Sequence, residues 1–200
     1  MIEQTLLNSG IQKIAGCDEA GRGPCAGPLV VAAVILNFPL AQQLTQIKDS
    51  KELTETLRNK LFDEITEHAL AYSIIEISVA EIDANGLHKS NLEGMRRAVK
   101  ALSKTPDYVL TDGYAIDGID IPSLAVWKGD QVAVSVGAAS ILAKVYRDRK
   151  MVELDAKYPG YGLAEHKGYI TAKHTAALNE LGPTDAHRKS FSNIAALINK

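Results

Sequence analysis

Cys17-Asp18-Glu19-Ala20-Gly21-Arg22-Gly23-Pro24 sets two adjacent carboxylates, one guanidinium and two glycines side by side. The run follows the apolar Ile14 and Ala15, so it lies where a short buried strand would end. Adjacent carboxylates in such a place are costly to keep ionised unless a cation neutralises them. Glycines on either side of Arg22 let bare backbone approach a ligand closely, with one cation beside it. A divalent metal ion together with a phosphate-bearing polymer accounts for both halves.

Two more acids stand in comparable places. Asp112 ends the apolar Tyr108-Val109-Leu110, and Asp130 sits in Lys128-Gly129-Asp130 after the next strand candidate. Ligands of α/β sheets gather where strand ends open into loops. If these strands are neighbours with their ends on one side, three or four carboxylates converge, and an oxygen-only donor set selects Mg2+ or Mn2+ over zinc. Consecutive strand side chains point to opposite faces, so Asp18 and Glu19 share a site only if the strand ends or bulges between them; Gly21 and Gly23 predict such a break. Asp117 and Asp120 read as turn residues, and Asp148 as a helix residue. The spacings of His166, His174 and His187 fit no zinc pattern, and Cys17 and Cys25 read as small buried residues. Trp127, the only tryptophan, reads as a core or boundary residue.

The elements that must hold these groups alternate. Residues 11–18 and 29–36 read as strands, the second buried on both faces, joined as an antiparallel pair by a functional loop. Residues 54–68 are helical, with Leu57, Leu61 and Ile65 every four residues; 69–79 return to strand; 82–102 are mostly helix, with Met95, Val99 and Leu102 in the core stripe. Strands follow at 108–113 and 121–126, the latter marked as an edge by Pro122. A long helix spans 134–158, with Ala138, Ile141, Leu142, Val145 and Val152 on its core face and Lys144, Arg147, Asp148 and Arg149 directed elsewhere. Shorter helices cover 171–181 and 190–199.

The bulk properties set limits. Two hundred residues at 46% hydrophobic content are expected to form one domain with a real core. No apolar run is long enough to span a bilayer and no signal segment is visible, so the expected compartment is the cytoplasm, with no membrane partner. Nothing demands more than a monomer. The net charge of −2 hides an asymmetry: residues 1–127 carry 11 Lys and Arg against 17 Asp and Glu, whereas residues 128–200 carry 11 against 7. An acidic front and a basic back suit a metal site facing a polyanion.

Asp18-Glu19-Ala20-Gly21-Arg22-Gly23-Pro24 resembles the signature of the type 2 ribonuclease H family, ribonuclease HII. Lys48-Asp49-Ser50-Lys51 matches the family's next block, and Leu110-Thr111-Asp112-Gly113 is similar to its third acidic motif, with Thr111 where Val is more usual. Lys128-Gly129-Asp130, then Ala138-Ala139-Ser140-Ile141-Leu142-Ala143-Lys144-Val145 followed by Arg147-Asp148, resemble the blocks before and within its long helix. Tyr161-Gly162, His166-Lys167-Gly168-Tyr169, His174, Gly182-Pro183 and His187-Arg188-Lys189-Ser190-Phe191 resemble its C-terminal signature, with Ile170 where Gly or Pro is frequent. The blocks keep the family's order over nearly the whole chain.

The resemblance implies a ribonuclease-H-like α/β fold: a central mixed β-sheet flanked by helices, with a helical region from about residue 160 to 200, in one catalytic domain over residues 1–200. It implies an endonuclease that hydrolyses the RNA strand of RNA/DNA hybrids and nicks 5′ to ribonucleotides embedded in duplex DNA, leaving 5′-phosphate and 3′-hydroxyl ends. Asp18, Glu19, Asp112 and Asp130 match the family's metal-binding acids. The expected cofactor is Mn2+ or Mg2+, with two ions during catalysis, one activating water and one stabilising the leaving oxygen. Gly21, Arg22 and Gly23 are expected to read the 2′-hydroxyl, which distinguishes RNA from DNA, and Tyr169 to sense the DNA-side sugar at the junction. Lys51 is expected to contact phosphate; Lys144, Arg147 and Lys167 are further candidates. The competing expectations are a catalytically inert hybrid-binding module of the same fold, and a same-fold nuclease or transferase acting on DNA.

Overall fold

Leu29–Ile35 (β2), a continuous apolar run, is buried along its whole length, and the sheet extends on both sides of it. The computed structural model describes residues 2–37, 41–42, 44 and 53–198. Among the described residues five strands stand in the order β3-β2-β1-β4-β5, where β1 is Ile14–Ala20, β3 Ala71–Ile77, β4 Tyr108–Asp112 and β5 Ser123–Val126. β2 pairs antiparallel with β1 and β3, whereas β4 runs parallel to both β1 and β5. The sheet is therefore mixed. Its parallel half sends β1, β4 and β5 towards the same end, where strand-terminal acids can meet.

Helices cover both faces. Helix α1 is Ile2–Asn8, α2 is Glu55–His68, α3 is Val79–Asn85 and α4 is Leu87–Lys100. α3 and α4 bury Ile82, Met95, Ala98 and Val99 against Ala15, Cys17, Val31 and Val109. The stretch expected as one helix over 82–102 is two, because Gly86, at φ 81°, terminates the first and begins the second. On the other face lie α2 and the long helix α6, Val134–Lys157, which follows the short α5, Gly129–Val132. Leu61 and Ile65 pack there with Val30, Ala32, Ala138 and Leu142. α6 begins directly on β1: a Cβ at Gly16 would stand 2.0 Å from the Ser135 carbonyl carbon, so only a residue without a side chain permits this approach. Its first turn has no side-chain cap of its own. The buried carboxylate of Glu3, from α1, accepts instead from the Ser135 amide and hydroxyl, each at 2.9 Å.

Three expectations about exposure are overturned. Arg147 and Asp148, assigned away from the core face of α6, are buried, whereas Val152, assigned to it, is exposed. Trp127 is 82% exposed at the end of β5 rather than in the core or at its boundary. Helices α1, α5 and α7 (Leu163–His166) are too short or too weakly periodic to be seen in the sequence.

The C-terminal helices α7, α8 (Ala172–Leu181) and α9 (Ser192–Ile198) pack on Cys25, Ala26 and Met151. Both cysteines are buried and unpaired with each other. Three imidazoles join this region through hydrogen bonds. The Thr184 amide donates to His187 Nδ1 at 2.9 Å, which leaves His187 Nε2–H to donate to His174 Nε2 at 3.1 Å. His174 Nδ1–H then donates to the Tyr169 carbonyl at 2.9 Å. In parallel, Gly168 donates to His166 Nδ1 at 3.2 Å and His166 Nε2–H donates to the Tyr161 carbonyl at 2.8 Å. One tautomer of each ring satisfies every contact, and an extra proton on His174 or His187 would set two donors face to face.

Burial, with His174 and His166 beside it, pushes His187 down to about 4 from its ordinary 6.5. Between those values the unfolded chain binds the proton that the folded chain refuses, so the stability from this region is complete above about pH 6.5 and is lost as pH falls towards about 4. The His187 ring resonances are expected to stay at their neutral positions down to about pH 4. Titration of that ring near its ordinary value in the folded protein would contradict the relay.

Candidate active site

Asp18 and Asp112 are brought together by strand register alone. β1 and β4 are parallel with Cys17 opposite Thr111, so one residue further Asp18 and Asp112 stand side by side at a spacing of about 4.8 Å between strands. β4 and β5 pair Asp112 with Val126, and the chain then turns through Trp127 and Lys128 to reach Asp130 at the start of α5. The Gly129 amide donates to Asp112 Oδ1 at 2.7 Å, which ties this turn to the end of β4. Lys128 holds a left-handed conformation, φ 53°, unusual for a side-chain-bearing residue, and so bends the chain tightly enough for Asp130 to be buried.

The expected break between Asp18 and Glu19 is absent. β1 stays in register with β2 through Asp18↔Ala32, Glu19↔Val31 and Ala20↔Val30. The two carboxylates therefore leave opposite faces of the sheet: Asp18 meets Ser140 of α6, and Glu19 meets Asn91 of α4. They are neighbours because both lie at the very end of the paired region, where no further sheet separates them.

Burial, reinforced by Glu19 and Asp112, pushes Asp18 well above the usual carboxylate range. Burial also raises Glu19 to about 7, with Arg22 opposing the shift and Asp112 adding to it. Glu19 Oε1 lies 3.4 Å from the Arg22 guanidinium, while its Oε2 is buried without a hydrogen-bond partner. Both side-chain amide atoms of Asn91 are likewise buried and unsatisfied. Among the described residues no three Asp, Glu, His or Cys side chains stand grouped closely enough to hold an ion as they are. The carboxylates instead rest on donors of the chain: the Glu19 amide donates to Asp18 Oδ1 at 2.7 Å, as Gly129 does to Asp112. Surplus negative charge, oxygen-only donors and an orphaned buried carboxylate oxygen are what a hard divalent cation satisfies.

Beside the acids a cleft of about 250 Å³ is lined by Glu19, Gly21, Arg22, Gly23, Lys144 and Tyr169, together with Ser140 and Arg147. The loop after β1 thus faces Tyr169 across one opening, although 146 residues separate Gly23 from Tyr169 in the chain. Tyr169 is half exposed, and its ring would be 3.4 Å from a Cβ added at Gly23. Lys144 is partly buried and bonded to Asp148 at 2.6 Å. Arg22 lies over the Tyr114 ring at 4.4 Å. Lys167 contributes its carbonyl, which accepts from Arg147. Lys51 lies outside the described residues. Asn91, Ser140 and Arg188 were not singled out for the site in the sequence. Ser140 and Arg188 sit in recognisable blocks, but neither a neutral amide inside an amphipathic helix pattern nor a cation in a connecting loop gives a local sign of the group it meets.

The Ribonuclease HII family model matches residues 15–194. A ribonuclease HII from Salinispora arenicola is 54% identical over 196 residues, covering 98% of this chain and 73% of that protein. One from Mycobacterium avium is 52% identical over 198 residues, covering 99% and 86%. The crystal structure of ribonuclease H2 from Pyrococcus horikoshii superposes with a TM-score of 0.81 at 27% identity, covering 94% of this chain and 98% of that one. With the sheet order, the strand-end acids and the glycine loop already in place, these likenesses show that the chain belongs to the ribonuclease HII family.

Proposed function

We propose that this chain hydrolyses the RNA strand of RNA/DNA hybrids and nicks duplex DNA 5′ to an embedded ribonucleotide, leaving 5′-phosphate and 3′-hydroxyl ends. Membership of the ribonuclease HII family makes it a ribonuclease H, a phosphodiester hydrolase. The observation that carries the finer reading is one cleft in which Glu19, the chain neighbour of Asp18, meets the Gly21-Arg22-Gly23 loop and Tyr169, beside the paired strand ends of β1 and β4. Acids alone would suit any metal-dependent nuclease. Bare backbone beside an aromatic ring adds a means of telling one sugar from another.

Asp18, Glu19, Asp112 and Asp130 would hold the divalent ions, Mn2+ or Mg2+. Bound there, two ions supply an activated water and neutralise charge at the scissile phosphate. The chain's own part is placement. The parallel β1–β4 pairing sets Asp18 against Asp112, and Gly129 fixes the Asp112 carboxylate. Glu19 remains between Arg22 and the unsatisfied amide of Asn91, with one oxygen uncommitted. Gly21, Arg22 and Gly23 present backbone to the ribose, where the 2′-hydroxyl both donates and accepts. Tyr169 offers a flat apolar face to the neighbouring deoxyribose, excluding by shape a sugar with an added hydroxyl. Lys144, and Lys51 from the segment outside the described residues, supply cations for phosphates. No helix among the described residues is long and apolar enough to cross a membrane.

Asp18→Asn and Asp112→Asn are each expected to reduce nicking of a duplex with one ribonucleotide by at least about a hundredfold. Duplex binding, read by fluorescence polarisation, is expected to survive. A near-normal rate in Asp18→Asn would remove that residue from the reaction. Because Asn keeps an acceptor for the Glu19 amide while discarding a buried repulsive charge, Asp18→Asn is also expected to raise the Tm of the metal-free protein by about 2–4 °C; a fall would contradict the repulsion described above. Tyr169→Ala is expected to slow cleavage at a single RNA–DNA junction about tenfold more than cleavage within a long hybrid. Equal losses on both substrates would exclude its part in reading the junction.

A further inference from the structure

The loop between β1 and β2 has its peptide groups sorted by direction, and two buried arginines do the sorting. Arg188 Nη2 donates to the Gly21 carbonyl at 2.6 Å, Nη1 to Arg22 at 3.3 Å and Nε to Gly27 at 3.0 Å. Its own amide donates to the Cys25 carbonyl at 2.8 Å. Arg147, from α6, donates through Nη2 to Ala26, through Nε to Pro28 and through Nη1 to Lys167, each at 3.0 Å. All six guanidinium contacts end on carbonyl oxygens and none on a carboxylate.

Both side chains are fully buried. Burial pushes Arg147 down to about 10, and burial together with repulsion from Arg147 pushes Arg188 down to about 9, so both stay charged at neutral pH. Two like charges buried without a carboxylate are an expensive way to fill space, since apolar side chains would pack there at less cost. What the guanidinium fork offers and an apolar group lacks is a rigid set of donors that captures several carbonyls at fixed angles. Gly21, at φ 98°, rests directly on one of them: a Cβ there would be 2.1 Å from Arg147 Nε.

Capturing carbonyls fixes amides. In a planar trans peptide the N–H points away from the C=O of the same unit. With the Gly21 and Arg22 carbonyls held inward by Arg188, the amides of Arg22 and Gly23 point outward to the cleft that these residues line. Among the described residues neither amide donates to another group of the chain. The amides of Cys25 and Gly27, by contrast, are held by the carbonyls of Gly168 and Ala186 at 3.0 and 2.8 Å.

We infer that Arg147 and Arg188 are positioning residues for substrate recognition, holding the loop's carbonyls inward so that the Arg22 and Gly23 amides face the ribose as a preset pair of donors. Arg147, by also binding the Lys167 carbonyl, sets the separation between that pair and Tyr169. The inference rests on the reading of this loop and Tyr169 as the sugar-recognising elements. It adds that their geometry is imposed by two buried cations whose guanidinium donors are engaged by carbonyl oxygens of the chain.

The test uses Arg188→Lys and Arg147→Lys, which keep the charge and lose the fork. KM for a duplex with one ribonucleotide is expected to rise about tenfold in each. Mn2+ affinity, read by electron paramagnetic resonance without substrate, is expected to stay within about twofold, since the acids do not depend on the fork. An unchanged KM in a folded variant, or parallel losses of substrate and Mn2+ binding, would overturn the proposal. Should both variants fail to fold, NMR hydrogen exchange on the unmutated metal-free protein decides. Slow exchange at the Nε–H of Arg147 and Arg188, with fast exchange at the Arg22 and Gly23 amides that slows when the duplex is added, supports it. Fast exchange at either Nε–H, or amides already protected without duplex, overturns it. Amides that stay fast with duplex bound overturn the sugar-reading function of the loop as well. Amides protected by duplex alongside a normal KM in the lysine variants overturn only the positioning role.

Discussion

Parallel pairing of β1 with β4 is the constraint on which the molecule is organised. It sets two aspartates on adjacent strands at equal height, where their charges oppose each other in a setting that water barely reaches. Nothing about that arrangement favours folding, so stability must come from elsewhere. The fully buried β2 and the helices packed on both faces of the sheet supply it. Several features around the acids read as consequences: α6 seated on Gly16, the Glu3 carboxylate at its first turn, and the Gly129 amide on Asp112 each fix a backbone position close to the acids.

The positive groups are handled in the opposite way. Where the acids crowd one another at the end of the sheet, Arg147 and Arg188 are sunk beneath the neighbouring loop and bonded to carbonyl oxygens. An ion pair between the two sets would be the easiest way to stabilise both, and it would also cancel the field each presents to a ligand. Keeping them apart leaves a surplus of negative charge for cations and, next to it, outward amides backed by buried positive charge for a polyanion. The link between acids and loop is Arg22, which reaches Glu19 at 3.4 Å while lying over Tyr114.

Much of this was legible in the residues, for identifiable reasons. β2 was readable because seven consecutive apolar residues suit a strand covered on both sides. The meeting of Asp18 with Asp112 was readable because each acid ends an apolar run. The faces of Asp18 and Glu19 were misjudged: glycines after the pair suggested a break between its members, whereas the break comes only after Ala20, and the acids converge around the end of the sheet rather than on one side of it. The helix over 82–102 was read through Gly86 because the apolar pattern continues across it, and pattern says nothing of a φ of 81°. Arg147 and Asp148 were placed away from the core face because periodicity directs any charge in a helix away from the apolar stripe. The burial of Arg147 depends on partners far away in sequence, and Arg188 lies 167 residues from the carbonyl that it holds most closely.

The exposed Trp127 fits the same logic. A large aromatic side chain at 82% exposure gains nothing in the free protein, and it lies between β5, which pairs with the end of β4, and the left-handed Lys128 that delivers Asp130. Strain at Lys128 and exposure at Trp127 are adjacent departures from what local stability favours, and both occur in the turn that leads from β5 to the buried Asp130. The charge asymmetry along the chain is resolved in the same way. The acidic front contributes the ends of β1 and β4, and the basic back contributes Arg147, Arg188 and Lys144 around the loop that follows β1. A protein with a net charge of −2 can therefore still set positive charge and amide donors directly beside its acids.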